Sequence, residues 1–291
     1  MFVITLIANS DRRDLDPALV ESLRNAWGGG HADWLAPDLA AEFVVQSIPA
    51  NRWDVWSECQ NLGVDLVLTS NANRRKKLLL ADMDSTLIHQ ECIDELAAEA
   101  GFGERVAAIT ARAMNGELDF EQAIHERVGL LKGLPVSVIT KVLEERITYM
   151  PGGKTLVATM KSNGAYAALV SGGFTDFTSA VALHLGFDEH RANTLQHDGE
   201  LLNGRVSEPI LGKEAKIEAL QSISAQLGLD LSDTIAVGDG ANDLGMLDLA
   251  GMGVALHAKP SVAAQCDIRV NHGDLTALLF IQGYREDEFV Q

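Results

Sequence analysis

Leu78-Leu79-Leu80-Ala81 is a short, continuous apolar run that stops at Asp82-Met83-Asp84-Ser85-Thr86. Four apolar residues bounded by polar ones predict a strand buried on both faces, as in parallel sheets sandwiched between helices. The pattern returns twice. Residues 165–170 run into Ser171-Gly172-Gly173, and residues 234–237 run into Gly238-Asp239-Gly240-Ala241-Asn242-Asp243. A parallel sheet delivers all three polar ends to one carboxyl edge, and open α/β sheets bind their ligands at that edge. The chain is therefore expected to be α/β, with a Rossmann-like parallel core and a crevice built from Asp82, Asp84, Ser171 and Asp239.

Residues 1–75 carry no such polar strand ends. They read as strand 2–8, helix 17–27 closed by Gly28-Gly29-Gly30, strand 41–48, helix 53–62 and strand 64–68, a small α+β domain. Asn71-Ala72-Asn73 and the basic stretch Arg74-Arg75-Lys76-Lys77 mark a boundary and read as a solvated linker, so the second domain spans 76–291. Residues 89–149 are rich in helix formers. Gly101, Gly116 and Gly133-Leu134-Pro135 divide them into three or four helices, inserted after the first core strand. Asp198-Gly199 and Asn203-Gly204 predict turns flanking the short strands of a hairpin. Residues 213–227 read as a helix, residues 174–185 as another, and residues 253–256 as a fourth buried strand.

The hydrophobic fraction of 47% is ample for a core, and the net charge of −18 disfavours nucleic acid and anionic membrane as partners. An anionic small molecule would have to meet a local positive field. Cys59, Cys92 and Cys266 form no CxxC pair, which suggests reduced thiols and a cytoplasmic protein. No apolar stretch reaches the length of a membrane span. The oligomeric state stays open, a homodimer included.

Two carboxylates one residue apart repel unless a cation or a shared proton separates them. Asp82 and Asp84 could divide the labour, one as a nucleophile and the other moving a proton. An Asx-capped turn is the alternative, and the buried strand before the pair weighs against it. The hard oxygens of the segment 238–243 suit Mg²⁺; a capped glycine-rich turn is the other reading. Ser171-Gly172-Gly173, taken to end a strand and open a helix, offers an anion site or an ordinary N-cap. Lys213 and Lys216 precede the Asp239 strand, and either could be the cation such a crevice needs. Neither a GxxxxGK[ST] loop, a GxSxG elbow nor an HExxH helix occurs.

DMDST, SGG, an upstream lysine and GDGAND, in this order, resemble the haloacid dehalogenase superfamily of phosphatases. Glu91, Phe120-Glu121-Gln122 with Arg127-Val128, and Leu130-Leu131-Lys132-Gly133-Leu134-Pro135 narrow the resemblance to bacterial-type phosphoserine phosphatases, over residues 76–285. Residues 1–75 are faintly similar to an ACT domain, a regulatory ligand-binding module. The resemblance implies Mg²⁺-dependent hydrolysis of O-phospho-L-serine through an aspartyl-phosphate, the last step of serine biosynthesis. It makes Asp82 the nucleophile and Asp84 the proton carrier. Mg²⁺ would be held by Asp82, the backbone carbonyl of Asp84, and Asp239. Ser171, the N–H of Gly172, Lys216 and Asn242 would hold phosphate, with Asp243 supporting Lys216 or a metal-bound water. Glu91 would meet the substrate ammonium and Arg127 its carboxylate, with Phe120 lining a pocket under a helical cap of residues 89–149. His89, His125 and His257 are given no role. A phosphotransferase of the same superfamily and an amino-acid sensor are the two alternatives.

Overall fold

The computed structural model describes residues 1–114 and 117–291, so Gly116 lies outside the described residues. The chain opens with β1 (Phe2–Ala8), α1 (Pro17–Ala26), β2 (Asp33–Ala36), β3 (Ala40–Val45), α2 (Arg52–Asn61) and β4 (Val64–Ser70). The four strands form one antiparallel sheet in the order β2-β3-β1-β4. That is the βαββαβ arrangement of ferredoxin-like modules. Asp16 starts α1 by accepting from the Ala18 N–H, with Pro17 at the first helical position. Strand alternation sorts the two faces. Ile4, Leu6, Phe43 and Leu66 pack with the helices, while Ile7, Ala40 and Val67 join the core of the rest of the molecule. The short strand β2, bulged between Trp34 and Ala36, is absent from the sequence reading.

The basic run is not a solvated linker, which corrects the expectation. Arg74 forks onto Glu42, with its Nη2 2.6 Å from Oε2, and donates to the Ile281 carbonyl at 3.0 Å. Lys76 is buried and its Nζ donates to the Ser232 carbonyl at 2.7 Å. Arg75 stacks on Tyr284, 4.0 Å from the ring centre, and reaches Glu288. Arg74 and Lys76 thus have fixed acceptors, which composition alone does not reveal, while Arg75 and Lys77 pair at the surface. Asp65 of β4 makes a second joint. Its fully buried carboxylate accepts from the backbone N–H groups of Asn271 (2.8 Å), His272 (3.0 Å) and Gly273 (2.8 Å). Asp65→Ala leaves these donors without that acceptor, at a cost of about 1–3 kcal/mol for each one buried, so the variant should lose roughly 3 kcal/mol or more. A chemical-denaturation midpoint unchanged from the parent would refute this joint, and Asp65→Asn should recover part of the loss.

The second sheet is fully parallel and six-stranded, in the order β12-β11-β10-β5-β6-β7. Its strands are β5 (Leu78–Ala81), β6 (Tyr166–Phe174), β7 (Glu189–Asn193), β10 (Thr234–Gly238), β11 (Met252–Leu256) and β12 (Ile268–Val270). Between β5 and β6 come α3 (Cys92–Glu99), α4 (Gly103–Met114), α5 (Phe120–Gly129), α6 (Ser137–Glu145) and α7 (Gly153–Ser162). The first four of these are the inserted helices. The hairpin β8 (Leu195–Asp198) and β9 (Leu201–Val206) stands apart from the sheet. The remaining helices are α8 (Thr175–Leu185), α9 (Lys213–Leu227), α10 (Leu244–Leu249), α11 (Pro260–Ala263) and α12 (Ala277–Ile281).

Leu79 and Ala81 of β5 enter one core while Leu78 and Leu80 enter another, so β5 is buried on both faces as expected. Ala81 pairs with Val237 on one side and Leu169 on the other, which puts the next residue of each strand at the same edge. Sheet order reverses around β5, so this edge is a switch-point crevice. Three expectations change. Ser171-Gly172-Gly173 lies inside β6 rather than at a helix start, because the helix begins at Thr175. Asn203-Gly204 lies within β9, not at a turn: Gly204 has φ 78°, and a Cβ there would sit 2.9 Å from the Lys132 Cβ. The edge strands β7 and β12 complete a sheet read as four-stranded. Among the described residues no helix is long and apolar enough to cross a membrane.

Candidate active site

Asp82 extends the β5 ladder by one residue, its N–H donating to the Val237 carbonyl at 3.0 Å. The chain then coils tightly. The N–H groups of Thr86, Leu87 and Ile88 converge on the Met83 carbonyl, at 3.2, 2.8 and 3.2 Å. Ser85 takes a left-handed φ of 55°, uncommon outside glycine, and its hydroxyl donates to Glu91 Oε1 at 3.0 Å. Asp84 Oδ1 accepts from the Cys92 N–H at the head of α3, at 3.2 Å. Gly173 of β6 faces it. A Cβ there would lie 3.0 Å from Asp84 Oδ2 and 3.1 Å from the Ser171 hydroxyl, so this glycine makes room for both.

The strand β10 brings Asp239 alongside, where Oδ1 accepts from the Thr86 hydroxyl at 3.3 Å. Asp243, buried at the foot of α10, accepts from the Gly240 N–H at 2.9 Å. Its other oxygen accepts from Lys216 Nζ at 2.5 Å. Lys216 projects from α9 and is only 1% exposed. Its Nζ also lies 2.6 Å from Asp82 Oδ1, so one buried cation ties two carboxylates together. Lys213, in contrast, is exposed beside Glu214. Of the two candidate lysines, Lys216 alone is in the crevice. Gly238 is forced, since a Cβ there would fall 2.4 Å from the Asp243 carboxyl carbon.

The electrostatics follow from this crowding. Burial, and then Asp243, raise the Asp82 pKa well above its ordinary value, with Lys216 opposing. Asp239 is pushed up to about 6 by burial, Asp243 and Glu91. Asp84 rises to about 7, mainly through burial and then through Glu91, against the pull of the Cys92 N–H. Burial pulls the Lys216 pKa down, but Asp82 and Asp243 together more than reverse it. Carboxylate oxygens of Asp82, Asp239 and Asp243 lie within 4.8 Å of one another. Three hard oxygen donors, only two of them paired with the buried lysine, fit a divalent ion of the Mg²⁺ kind, which would relieve their repulsion.

A cavity of about 440 Å³ opens over this floor. Asp82, Asp84, Ser171, Gly172, Asp239 and Asn242 line it from the sheet edge, and Glu91, Phe120 and Arg127 line it from the inserted helices. Lys216 and Asp243 sit behind the floor and are not among the lining residues. The Phe120 ring reaches the core, 3.3 Å from where a Cβ on Gly172 or Gly212 would be. Arg127 Nε donates to the Ala123 carbonyl of its own helix at 3.2 Å. The sequence reading missed Lys259, in the loop after β11, and Ser261, in α11, which line the same cavity. Applying the strand-end rule to the fourth strand as well would have found them.

A family model described as haloacid dehalogenase-like hydrolase matches residues 79–248. A phosphoserine phosphatase of Streptomyces coelicolor is 43% identical over 256 residues, 87% of this chain and 62% of the relative, so this chain spans under two thirds of that protein. A phosphoserine phosphatase of Streptococcus thermophilus is 47% identical over 206 residues, 71% of this chain and 95% of the relative. The crystal structure of a haloacid dehalogenase family hydrolase from Salmonella enterica serovar Typhi superposes with a TM-score of 0.86 at 28% identity, covering 96% of this chain and 97% of that one. With Asp82 and the glycine-flanked Asp239 at neighbouring strand ends and Lys216 buried beside them, these matches make the chain a member of the haloacid dehalogenase-like hydrolases.

Proposed function

We propose that this protein is a Mg²⁺-dependent phosphatase that hydrolyses O-phospho-L-serine to L-serine and phosphate, the closing step of serine biosynthesis. One observation carries the reading. A single cavity joins the carboxylate pair Asp82 and Asp84 on its floor, with Lys216 buried behind Asp82, to an acid and an arginine, Glu91 and Arg127, on its inserted-helix wall. A phosphate fits the floor, and a zwitterion needs opposite charges on the wall. The relatives named above as phosphoserine phosphatases support the same substrate.

Lys216 occupies Asp82 Oδ1, which leaves Oδ2 to attack phosphorus. As the bond from phosphorus to the serine oxygen breaks, Asp84 donates its proton to that oxygen. Asp84 then takes a proton from the water that attacks the aspartyl-phosphate, releasing phosphate and restoring Asp82. A carboxyl with a pKa near 7 can serve in both directions at neutral pH. Ser171, the Gly172 N–H, Lys216 and Asn242 hold the phosphoryl oxygens, and Asp243 orients Lys216. Bound by Asp82, Asp239 and the Asp84 carbonyl, Mg²⁺ would neutralise charge between carboxylate and phosphate. Residues 89–149 serve as the cap, and closure over substrate excludes water. The cysteines are free and buried, and we place the enzyme in the cytoplasm.

A phosphate-release screen across phosphorylated amino acids tests this. Phosphoserine should be the best substrate, chelation should stop turnover, and added homoserine should not become phosphorylated. Failure to release phosphate from phosphoserine with Mg²⁺ present would overturn the reading, and transfer to homoserine would favour a phosphotransferase.

A further inference from the structure

We propose that Lys259 is a specificity-determining residue that binds the carboxylate of the substrate together with Arg127, and that His257 positions it. The inference rests on the phosphoserine reading above and names a group that reading does not use. Lys259 stands three residues beyond β11, on the same carboxyl edge that carries Asp82 and Asp239. It lines the cavity with Glu91 and Arg127. Removal from water raises the Glu91 pKa, the Ser85 hydroxyl lowers it and Asp94 raises it; Lys259, and after it Arg127, lower it. Glu91 thus sits in the field of two cations, one from the inserted helices and one from the core. An incoming ammonium at Glu91 carries its carboxylate on the adjacent carbon, within reach of both.

The loop that presents Lys259 is held in place. His257 has a left-handed φ of 47°, uncommon outside glycine though histidine is among the residues that visit it more often. Its N–H donates to the Val270 carbonyl at 2.8 Å, and its ring Nε2 lies 2.8 Å from the Gly273 carbonyl. A carbonyl only accepts, so Nε2 carries the proton. Gly273 is one of the three residues whose N–H groups are gripped by Asp65 of β4. A continuous set of hydrogen bonds therefore runs from the N-terminal module through Gly273 and His257 to the base of the Lys259 loop. Pro260 then opens α11 and fixes the chain direction after Lys259. His257, which the sequence reading left without a role, acquires one as a positioning residue.

The test compares phosphoserine with O-phosphoethanolamine, which keeps the phosphate and ammonium but lacks the carboxylate. Lys259→Gln should lower kcat/KM for phosphoserine roughly 10- to 100-fold, chiefly by raising KM, as expected for loss of a charged hydrogen bond. The loss on O-phosphoethanolamine should be far smaller, so the preference between the two substrates shrinks, and Lys259→Arg should restore part of it. His257→Asn, which tolerates a left-handed backbone but cannot reach Gly273, should show the same selective rise in KM to a lesser degree. Equal losses on both substrates would overturn the assignment, because Lys259 would then serve Glu91 or the fold. No change on either would overturn it too. A selective effect of Lys259→Gln without one of His257→Asn would overturn the positioning role alone. Parent enzyme inactive on phosphoserine would instead sink the function on which the inference rests.

Discussion

Asp82→Asn should abolish phosphate release, by about 10⁴-fold or more, while the protein stays folded. Loss of a nucleophile that forms a covalent intermediate has costs of this order in other enzymes. An amide keeps the shape of Asp82 and can still accept from Lys216, but it cannot attack phosphorus. The folding half of the expectation rests on electrostatics. Burial and the neighbouring Asp243 raise the Asp82 pKa, so its charged form is disfavoured in the folded state. Removing that charge takes away a cost, while Lys216 keeps Asp243 as a partner. In metal-free buffer the thermal midpoint should therefore be equal to or above that of the parent. Residual turnover above about 1% of the parent would mean that another group attacks phosphorus, since the loss expected for a true nucleophile is far larger.

The floor of the site was legible because it is written along strands. Asp82, Ser171 and Asp239 each follow an apolar run, and parallel register carries such ends to one edge without any knowledge of loops. The choice between Lys213 and Lys216 was not legible from composition, because both open the same helix. Geometry separates them: Lys216 turns inward to two carboxylates, and Lys213 faces solvent. The edge strands β7 and β12 escaped notice for a physical reason. The first, Glu189–Asn193, is mostly polar, and the second has only three residues, so neither shows a buried run. The basic stretch after β4 was misread because its meaning lies far along the chain, in Glu42, Ser232, Ile281 and Glu288. Long-range acceptors leave no local signature. The same holds for Asp65, whose three donors lie more than two hundred residues away.

Lys216→Met should cost both activity and stability, and the pH dependence separates the two causes. Loss of a preorganised cation at a phosphoryl site typically lowers kcat by about 10²–10³-fold. Methionine replaces much of the volume but none of the charge, so Asp82 and Asp243 lose the cation they share. Breaking a buried pair in this way costs roughly 3–5 kcal/mol near neutral pH. The Asp82 pKa, already raised by burial, loses its main opposing influence and moves further up. The folded variant then holds a proton that the unfolded chain, with an ordinary Asp pKa of 3.8, has already released. Between these two values the folded state binds more protons than the unfolded state, so stability falls as pH rises. In the parent this loss of stability with rising pH stops once folded Asp82 ionises, whereas the higher pKa of the variant lets it continue, so the deficit relative to the parent widens as pH rises. Denaturation in metal-free buffer should show a larger deficit relative to the parent at pH 8 than at pH 5. Added Mg²⁺ should recover part of it by supplying positive charge to the same oxygens. A deficit independent of pH and of Mg²⁺ would mean that Lys216 stabilises the fold by packing alone, and that the charge balance assigned to this crevice is wrong.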